Sequence, residues 1–335
     1  MGRVRRLLII LAAVAAAVVV AGLFVQSNYY LYLPDKAHPV DALVTVPGEK
    51  KTDENPGGGG IYMVDVLVAK ASLAERAIPA VRGDGATLVP AQAVNPAGVS
   101  QKQLHQQGLN QMSQSQEDAV TVALRHLGYK VKVSRDGAEV IEVDPKYPAQ
   151  GELEVGDVIV EARGLEVKTP DELQRAMAAV KPGQAVDLVV MRDKKQVPLT
   201  VGTTKSPNPK TPDKAIFGIV VQQAAEYTFP IDVKFDSGAI GGPSAGLAFS
   251  LDIVDELGED IDKGRKIAVT GTIDLAGRVG EIGGIKQKTI GARQSGATIF
   301  VVPDANAAGA RKYADDMKIV PVTTFDEALA RLGAK

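Results

Sequence analysis

The chain has no cysteine, no tryptophan, only three histidines and 4% aromatic residues in 335 positions. Without thiols there can be no disulfide, no thiolate metal site and no cysteine nucleophile. A large domain does without disulfides, so this absence leaves the compartment open. Scarce aromatics argue against base-stacking platforms, and a formal net charge of -2 supplies no field for a polyanion, so nucleic acid is not an expected partner. No G-x-x-x-x-G-K-[ST] phosphate loop occurs, because the glycine-rich PGGGG at 56–60 lacks the lysine. Cofactors and metals are therefore not called for. His38, His105 and His126 all fall in the first 126 residues.

One uncharged apolar run stands out. Residues 7–25, LLIILAAVAAAVVVAGLFV, number 19. As a helix rising ~1.5 Å per residue they cover about 28 Å, the hydrocarbon thickness of a bilayer. Arg3, Arg5 and Arg6 precede the run, so the positive-inside rule makes 1–6 a cytoplasmic stub and puts the rest outside the cell membrane. Tyr29, Tyr30 and Tyr32 follow, where an interfacial aromatic belt belongs. A signal peptide would have a shorter apolar core and a small-residue cleavage site, and QSNYYLYLP offers none. The expectation is a single-pass signal anchor.

The length allows about two or three further domains. Residues 34–127 form an N-terminal extracytoplasmic region: TDENPGGGG at 52–60 reads as a loop, IYMVDVLVAK as a strand, ASLAERAIPAV as helical and ATLVPAQAVNPAG as extended. A Gln-rich stretch over 101–117 reads as a polar helix or linker face, and Ser115, three residues before Asp118, as the N-cap of an apolar helix. Residues 128–205 offer five short strands and one helix, TPDELQRAMAAV, with Thr169 as N-cap and Pro170 at its first position. SPNPKTPDK at 206–214 reads as a Pro-rich linker, with a last domain over 215–335.

That last domain contains GAIGGPSAGLAF. Gly242-Pro243-Ser244-Ala245-Gly246 fits the G-x-S-x-G nucleophile elbow, whose triad requires an acid and then a histidine further along the chain. No histidine follows Ser244, and His38, His105 and His126 are expected in a different domain unit, two of them on solvated helix faces and His38 in a loop. A serine can instead be activated by a lysine held neutral, which needs burial or nearby positive charge to lower an ordinary pKa of about 10.4. The apolar and Gly-rich surroundings of GGIKQK provide Lys286 and Lys288, about 200° apart on a helix, so only one can face the serine. The small residues around Ser244 leave room for a substrate backbone, and the N–H of Ser244 with that of Gly241 or Gly242 is the expected oxyanion hole. Ser237 is a rival nucleophile.

GGPSAG followed by TGTIDLAGRVGEIGGIKQKTIGARQSGATIFVVP resembles the proteolytic domain of the Lon family. The resemblance implies Ser244 as nucleophile and Lys288, 44 residues downstream, as the catalytic lysine, with Thr270 orienting its amine. Many members have an aspartate two residues before Pro243, where this chain has Gly241. PKYPAQGELEVGDVIVEARGLEVKTPDELQRAM resembles the PDZ fold, which implies peptide binding by strand addition, with Leu127-Gly128-Tyr129 nearest to a carboxylate loop. The layout as a whole resembles the membrane-anchored YlbL-type Lon-like proteases.

The fold expected is α+β and multidomain, with a transmembrane helix, a PDZ-like β-domain and a mixed α/β Lon proteolytic domain. The function expected is an ATP-independent endopeptidase with a Ser-Lys dyad, acting on extracytoplasmic peptides or proteins, with homo-oligomers possible in principle. A non-catalytic PDZ/Lon-like scaffold that binds peptides is the alternative.

Overall fold

The computed structural model describes residues 2–47, 59–95, 101–134, 136–208, 211–238, 240–258 and 260–333, so most of the 52–60 loop lies outside the described residues. The chain divides into two compact units, one of residues 1–130 with 230–335 and the other of 131–229.

The first unit opens with helix α1, Gly2–Phe24, and passes through Val25 alone into strand β1, Gln26–Pro34. Strands β2, His38–Pro39, and β3, Gly60–Met63, follow. The expected strand over 61–70 is in fact two, because the chain leaves one sheet at Val64 and Asp65 and enters another as β4, Val66–Ser72. Helix α2, Leu73–Ala77, starts at a reciprocal cap: the Ser72 hydroxyl accepts from the Glu75 N–H at 3.2 Å and the Glu75 carboxylate from the Ser72 N–H at 2.7 Å. Then come β5, Thr87–Pro90, and helix α3, Gln101–His126. Strands β4, β1 and β5 form an antiparallel sheet in that order.

Two local expectations change here. Helix α3 runs unbroken past Ser115, which is no N-cap; its hydroxyl donates to the Pro243 carbonyl at 3.0 Å. The tyrosines, expected only as residues flanking the span, are part of strand β1. Tyr30 is buried and its hydroxyl accepts from Asn95 at 2.8 Å, while Tyr29 lies under the Arg76 guanidinium, 4.8 Å from its ring centre.

The second unit is a sheet of strands 195–202, 185–192, 158–162, 138–143 and 219–223 in that order, with 165–166 paired to 158–162. Val140, Ile159, Val190 and Val201 fill its core. Helix Pro170–Met177 has the expected cap, with the Thr169 hydroxyl accepting from the Glu172 N–H at 3.2 Å. The stretch 206–214 is not an interdomain linker. Thr204–Lys205 pairs with Ala215–Ile216 and the Ser206 N–H donates to the Lys214 carbonyl at 2.9 Å, so this is the loop of a hairpin inside the unit. The boundary moves accordingly from 215 to 230.

After residue 229 the chain re-enters the first unit. It forms α4, Gly246–Glu256; β6, Lys266–Val269; α5, Ile285–Gln294; β7, Ile299–Pro303; α6, Asp304–Arg311; β8, Lys318–Val322; and α7, Phe325–Leu332. Strands β2, β3, β6, β7 and β8 make a five-stranded sheet in that order, parallel from β3 to β8. All of IFVVP in β7 is buried, as a parallel strand covered on both faces requires. Residues 34–127 are therefore not a separate region: β3 pairs with β6, residue 61 against residue 267. The unit containing the serine is assembled from both ends of the chain.

Candidate active site

Ser244 lies at the entrance of α4, a helix buried from Gly246 to Val254. That entrance needs glycine twice. Gly242 adopts φ +95°, a left-handed conformation that strains any residue with a Cβ. At Gly246 a Cβ would come 2.5 Å from the Ser115 hydroxyl oxygen, so the close approach of α3 requires its absence. The Ser244 carbonyl is held twice, by the Gly271 N–H at 2.9 Å and by the Thr270 hydroxyl at 3.2 Å.

Lys288 projects from α5 toward the serine and is 4% exposed. Its Nζ lies 2.6 Å from Ser244 Oγ, 2.9 Å from the Val64 carbonyl oxygen and 3.2 Å from Thr270 Oγ1. The Val64 carbonyl can only accept. The Thr270 hydroxyl spends its proton on Ser244, so toward the amine it also accepts. A neutral amine has two N–H donors and one lone pair. Protonated, the amine donates to all three oxygens; once neutral, it can keep Val64 and Thr270 as acceptors and turn its lone pair to the Ser244 O–H. Burial pushes the Lys288 pKa down to about 8, against the opposing pull of the Asp65 carboxylate.

The turn before α5 is fixed by one side chain. The Asn306 amide, on α6, accepts from the Ile282 N–H at 3.0 Å and donates to the Ile282 carbonyl at 3.0 Å. A cavity of about 790 Å³ opens over Ser244 and Lys288, with Tyr32, Asp65, Val66, Val68, Gln111 and Ile240 among its walls.

Residues 217–333 match the family described as Lon protease (S16) C-terminal proteolytic domain, and residues 126–203 match the PDZ domain. This chain carries a Lon-type proteolytic domain and a PDZ domain. Lon protease 2 of Bacillus subtilis (strain 168) is 37% identical over 102 residues, covering 30% of this chain and 18% of that protein. The Lon protease of Mesomycoplasma hyopneumoniae (strain 232) is 36% identical over 103 residues, or 29% of this chain and 12% of that one. The chain thus spans less than a fifth of the length of these curated relatives. Among solved structures, the PDZ domain of the SdrC-like protein from Listeria innocua is similar at 26% identity, covering 26% of this chain and 93% of that one, with a TM-score of 0.24.

The Lon-type unit brings Ser244, Lys288 and Thr270 together and turns Lys286 away. Lys286 reaches the Ala86 carbonyl at 3.3 Å and the Thr87 hydroxyl at 3.4 Å. Gly242 is corrected as an oxyanion donor, because its N–H is committed to the Gly108 carbonyl at 2.8 Å. Among the described residues the N–H groups of Gly241 and Ser244 donate to no acceptor, and Gly241 and Ser244 line the cavity. Ser237 is bound by the Gln116 amide at 3.0 Å and is not at Lys288.

The histidines were expected in another domain unit, yet all three belong to the same unit as Ser244. His126 packs edge-on against Phe325, with ring centres 5.6 Å apart, and His105 is exposed. His38 is not in a loop but in β2, with Nε2 3.7 Å from Asp65 Oδ1 and 3.9 Å from Asp35 Oδ2. Burial first, then the Asp35 charge, pushes the Asp65 pKa up, while His38 and Lys288 pull it down. Sequence reasoning passed over Val64, Asp65, Gly108 and Asn306, and read Ser115 only as an N-cap. The one signal available was the polar Asp65 interrupting an apolar strand pattern. Among the described residues, two clusters have ligand atoms close enough to hold a cation, each within 4.8 Å: Asp35, His38 and Asp65, and Asp255, Asp260 and Asp262.

Proposed function

We propose that this protein is a serine endopeptidase with Ser244 as nucleophile and Lys288 as general base, held at the cell membrane by residues 7–25 with its Lon-type unit extracytoplasmic. The observation that carries the reading is the 2.6 Å separation of the buried Lys288 Nζ from Ser244 Oγ, with two further oxygens placed to take both N–H donors of the amine once it is neutral. Lys288 takes the Ser244 proton as Oγ attacks a peptide carbonyl carbon. The N–H groups of Gly241 and Ser244 face the oxyanion. Lys288 then returns its proton to the leaving nitrogen, the C–N bond breaks, and an acyl-Ser244 ester remains. Water, deprotonated by the same amine, hydrolyses that ester and regenerates the pair.

Substrates are extended peptide segments. β4 is the outer strand of its sheet, and Val66 and Val68 line the cavity, so a substrate backbone can add alongside it. The PDZ unit has a similar outer strand, Ile219–Gln223, beside helix Pro170–Met177, which suits it to hold another part of the substrate.

The test is cleavage of an unfolded protein by the full chain, by Ser244→Ala and by Lys288→Ala. Both substitutions are expected to lower the rate by at least about 10³-fold with the fold retained. Activity is expected to rise with pH through a midpoint near 8, where Lys288 loses its proton. A rate unchanged in either variant, or flat from about pH 5 to 9, overturns the dyad. Peptide binding without cleavage by the intact chain puts a scaffold in its place.

A further inference from the structure

The junction between anchor and protease has no stalk. Helix α1 ends at Phe24, β1 begins at Gln26, and Val25 alone lies between them. That residue is itself fixed, since its carbonyl accepts from the Leu73 N–H at 2.8 Å, which ties the end of α1 to the end of β4. The Ser27 hydroxyl donates to the Ala71 carbonyl at 2.8 Å across the same corner. One turn inside α1, Gly22 lies against α2, where a Cβ would meet Ala74 at 3.4 Å. A flexible linker would let the catalytic unit wander, whereas a helix stapled to a strand keeps it at one distance.

That distance can be read from the strand register. β4 runs from Ser72, paired with Gln26 at the anchor end, to Val66, paired with Pro34 at the far end. Its six steps at about 3.3 Å make about 20 Å. Just beyond Val66 lies Val64, whose carbonyl holds the Lys288 amine, and Val66 and Val68 face the cavity over Ser244. Eight steps from Ser72 to Val64 make about 26 Å, so the reacting atoms lie no more than about 30 Å from the end of the apolar helix. Phe24 and Leu73, 84% and 42% exposed at the corner, offer apolar side chains to a bilayer interface.

We propose that the protease acts on polypeptide chains tethered to the same bilayer, cutting them within about 30 Å of its surface, in the first ten or so residues beyond their own membrane anchor. The inference rests on the reading of Ser244 as nucleophile and 7–25 as anchor. Physically, a tethered segment at the right height meets the site at a raised effective concentration. That advantage falls as about the −3/2 power of the spacer length. Moving a cleavable segment from ten to forty residues from its anchor lowers the rate about eightfold on that scaling.

The experiment uses the full chain in phosphatidylcholine–phosphatidylglycerol vesicles. Its reporters are single-span peptides joined by Gly-Ser spacers of about 10 or 40 residues to one casein segment, with soluble casein as a third substrate. Products are followed by mass spectrometry. The short-spacer reporter is expected to be cut about eightfold faster than the long one. Inserting about 30 Gly-Ser residues between Val25 and Gln26 is expected to bring the two rates within about twofold, with soluble casein still cut. If that variant no longer cuts soluble casein, the comparison with the unaltered chain decides alone. Equal rates on both tethered reporters, with all cleavage lost in Ser244→Ala, overturn the distance inference and leave the endopeptidase reading standing. No Ser244-dependent cleavage of any substrate overturns that reading and this inference with it.

Discussion

At the residue scale, Lys288 sets both chemistry and stability. Its pKa falls from 10.5 in water to about 8 in the fold because burial disfavours the charged form. Below about pH 8 the amine is charged in folded and unfolded chains alike, and the folded state bears the full cost of burying it. Between about 8 and 10.5 the unfolded chain binds more protons, so stability rises with pH, on the order of 3 kcal/mol in total. Lys288→Met removes that cost but strips the Val64 carbonyl of a donor. A net gain of about 1–2 kcal/mol at pH 7 is expected in a urea midpoint, together with loss of cleavage. Asp65 acts on the same amine from the cavity wall. Its negative charge raises the Lys288 pKa, so Asp65→Asn is expected to move the pH–rate midpoint below that of the unaltered chain. GGPSAG and GGIKQK were legible as partners in the sequence. Asp65 and His38 were not, because their approach depends on β2 and β3 pairing.

At the element scale, the site is a meeting of helix ends with a sheet break. α5 starts where Asn306 clamps both backbone groups of Ile282, and both atoms of the clamp are buried. Asn306→Ala leaves those two groups without partners and is expected to cost about 2–4 kcal/mol, measured by denaturant unfolding, and to lower kcat by displacing α5. The helix over Pro170–Met177, with Thr169 and Pro170 at its start, was readable because capping is local chemistry. The strand division at Val64 and Asp65 was not readable, since residues 61–70 have strand composition throughout and only the two sheets tell them apart. The same holds for α3, whose middle is polar by composition yet packs Gly108 and Ser115 against the serine loop.

At the scale of the whole molecule, the PDZ unit is an insertion. The chain leaves the Lon-type unit after residue 130 and returns at 230. The insertion begins and ends as a two-stranded ribbon, with Lys132 opposite Thr228. Paired residues in such a ribbon stand about 5 Å apart, so the excised ends can be joined by a few residues. Replacing 131–229 by a short Gly-Ser linker is expected to leave cleavage of short peptides within about threefold, while slowing cleavage of substrates that need the PDZ unit. Loss of peptide cleavage, with unfolding seen by circular dichroism, would mean that the insertion supports the fold around it.

By itself the sequence determined the apolar span, the PDZ and Lon-type patterns, the serine motif and the pair of candidate lysines. Each of these is written in adjacent residues, by composition, periodicity or a glycine-framed motif. Tertiary structure decided which lysine is buried, which backbone amide is spent on Gly108 and where the domain boundary falls. It also decided that residues 26–130 complete the unit containing Ser244. Those outcomes depend on parallel strand pairing and helix contact between segments more than a hundred residues apart, and no local signal records which distant strand a chain will choose.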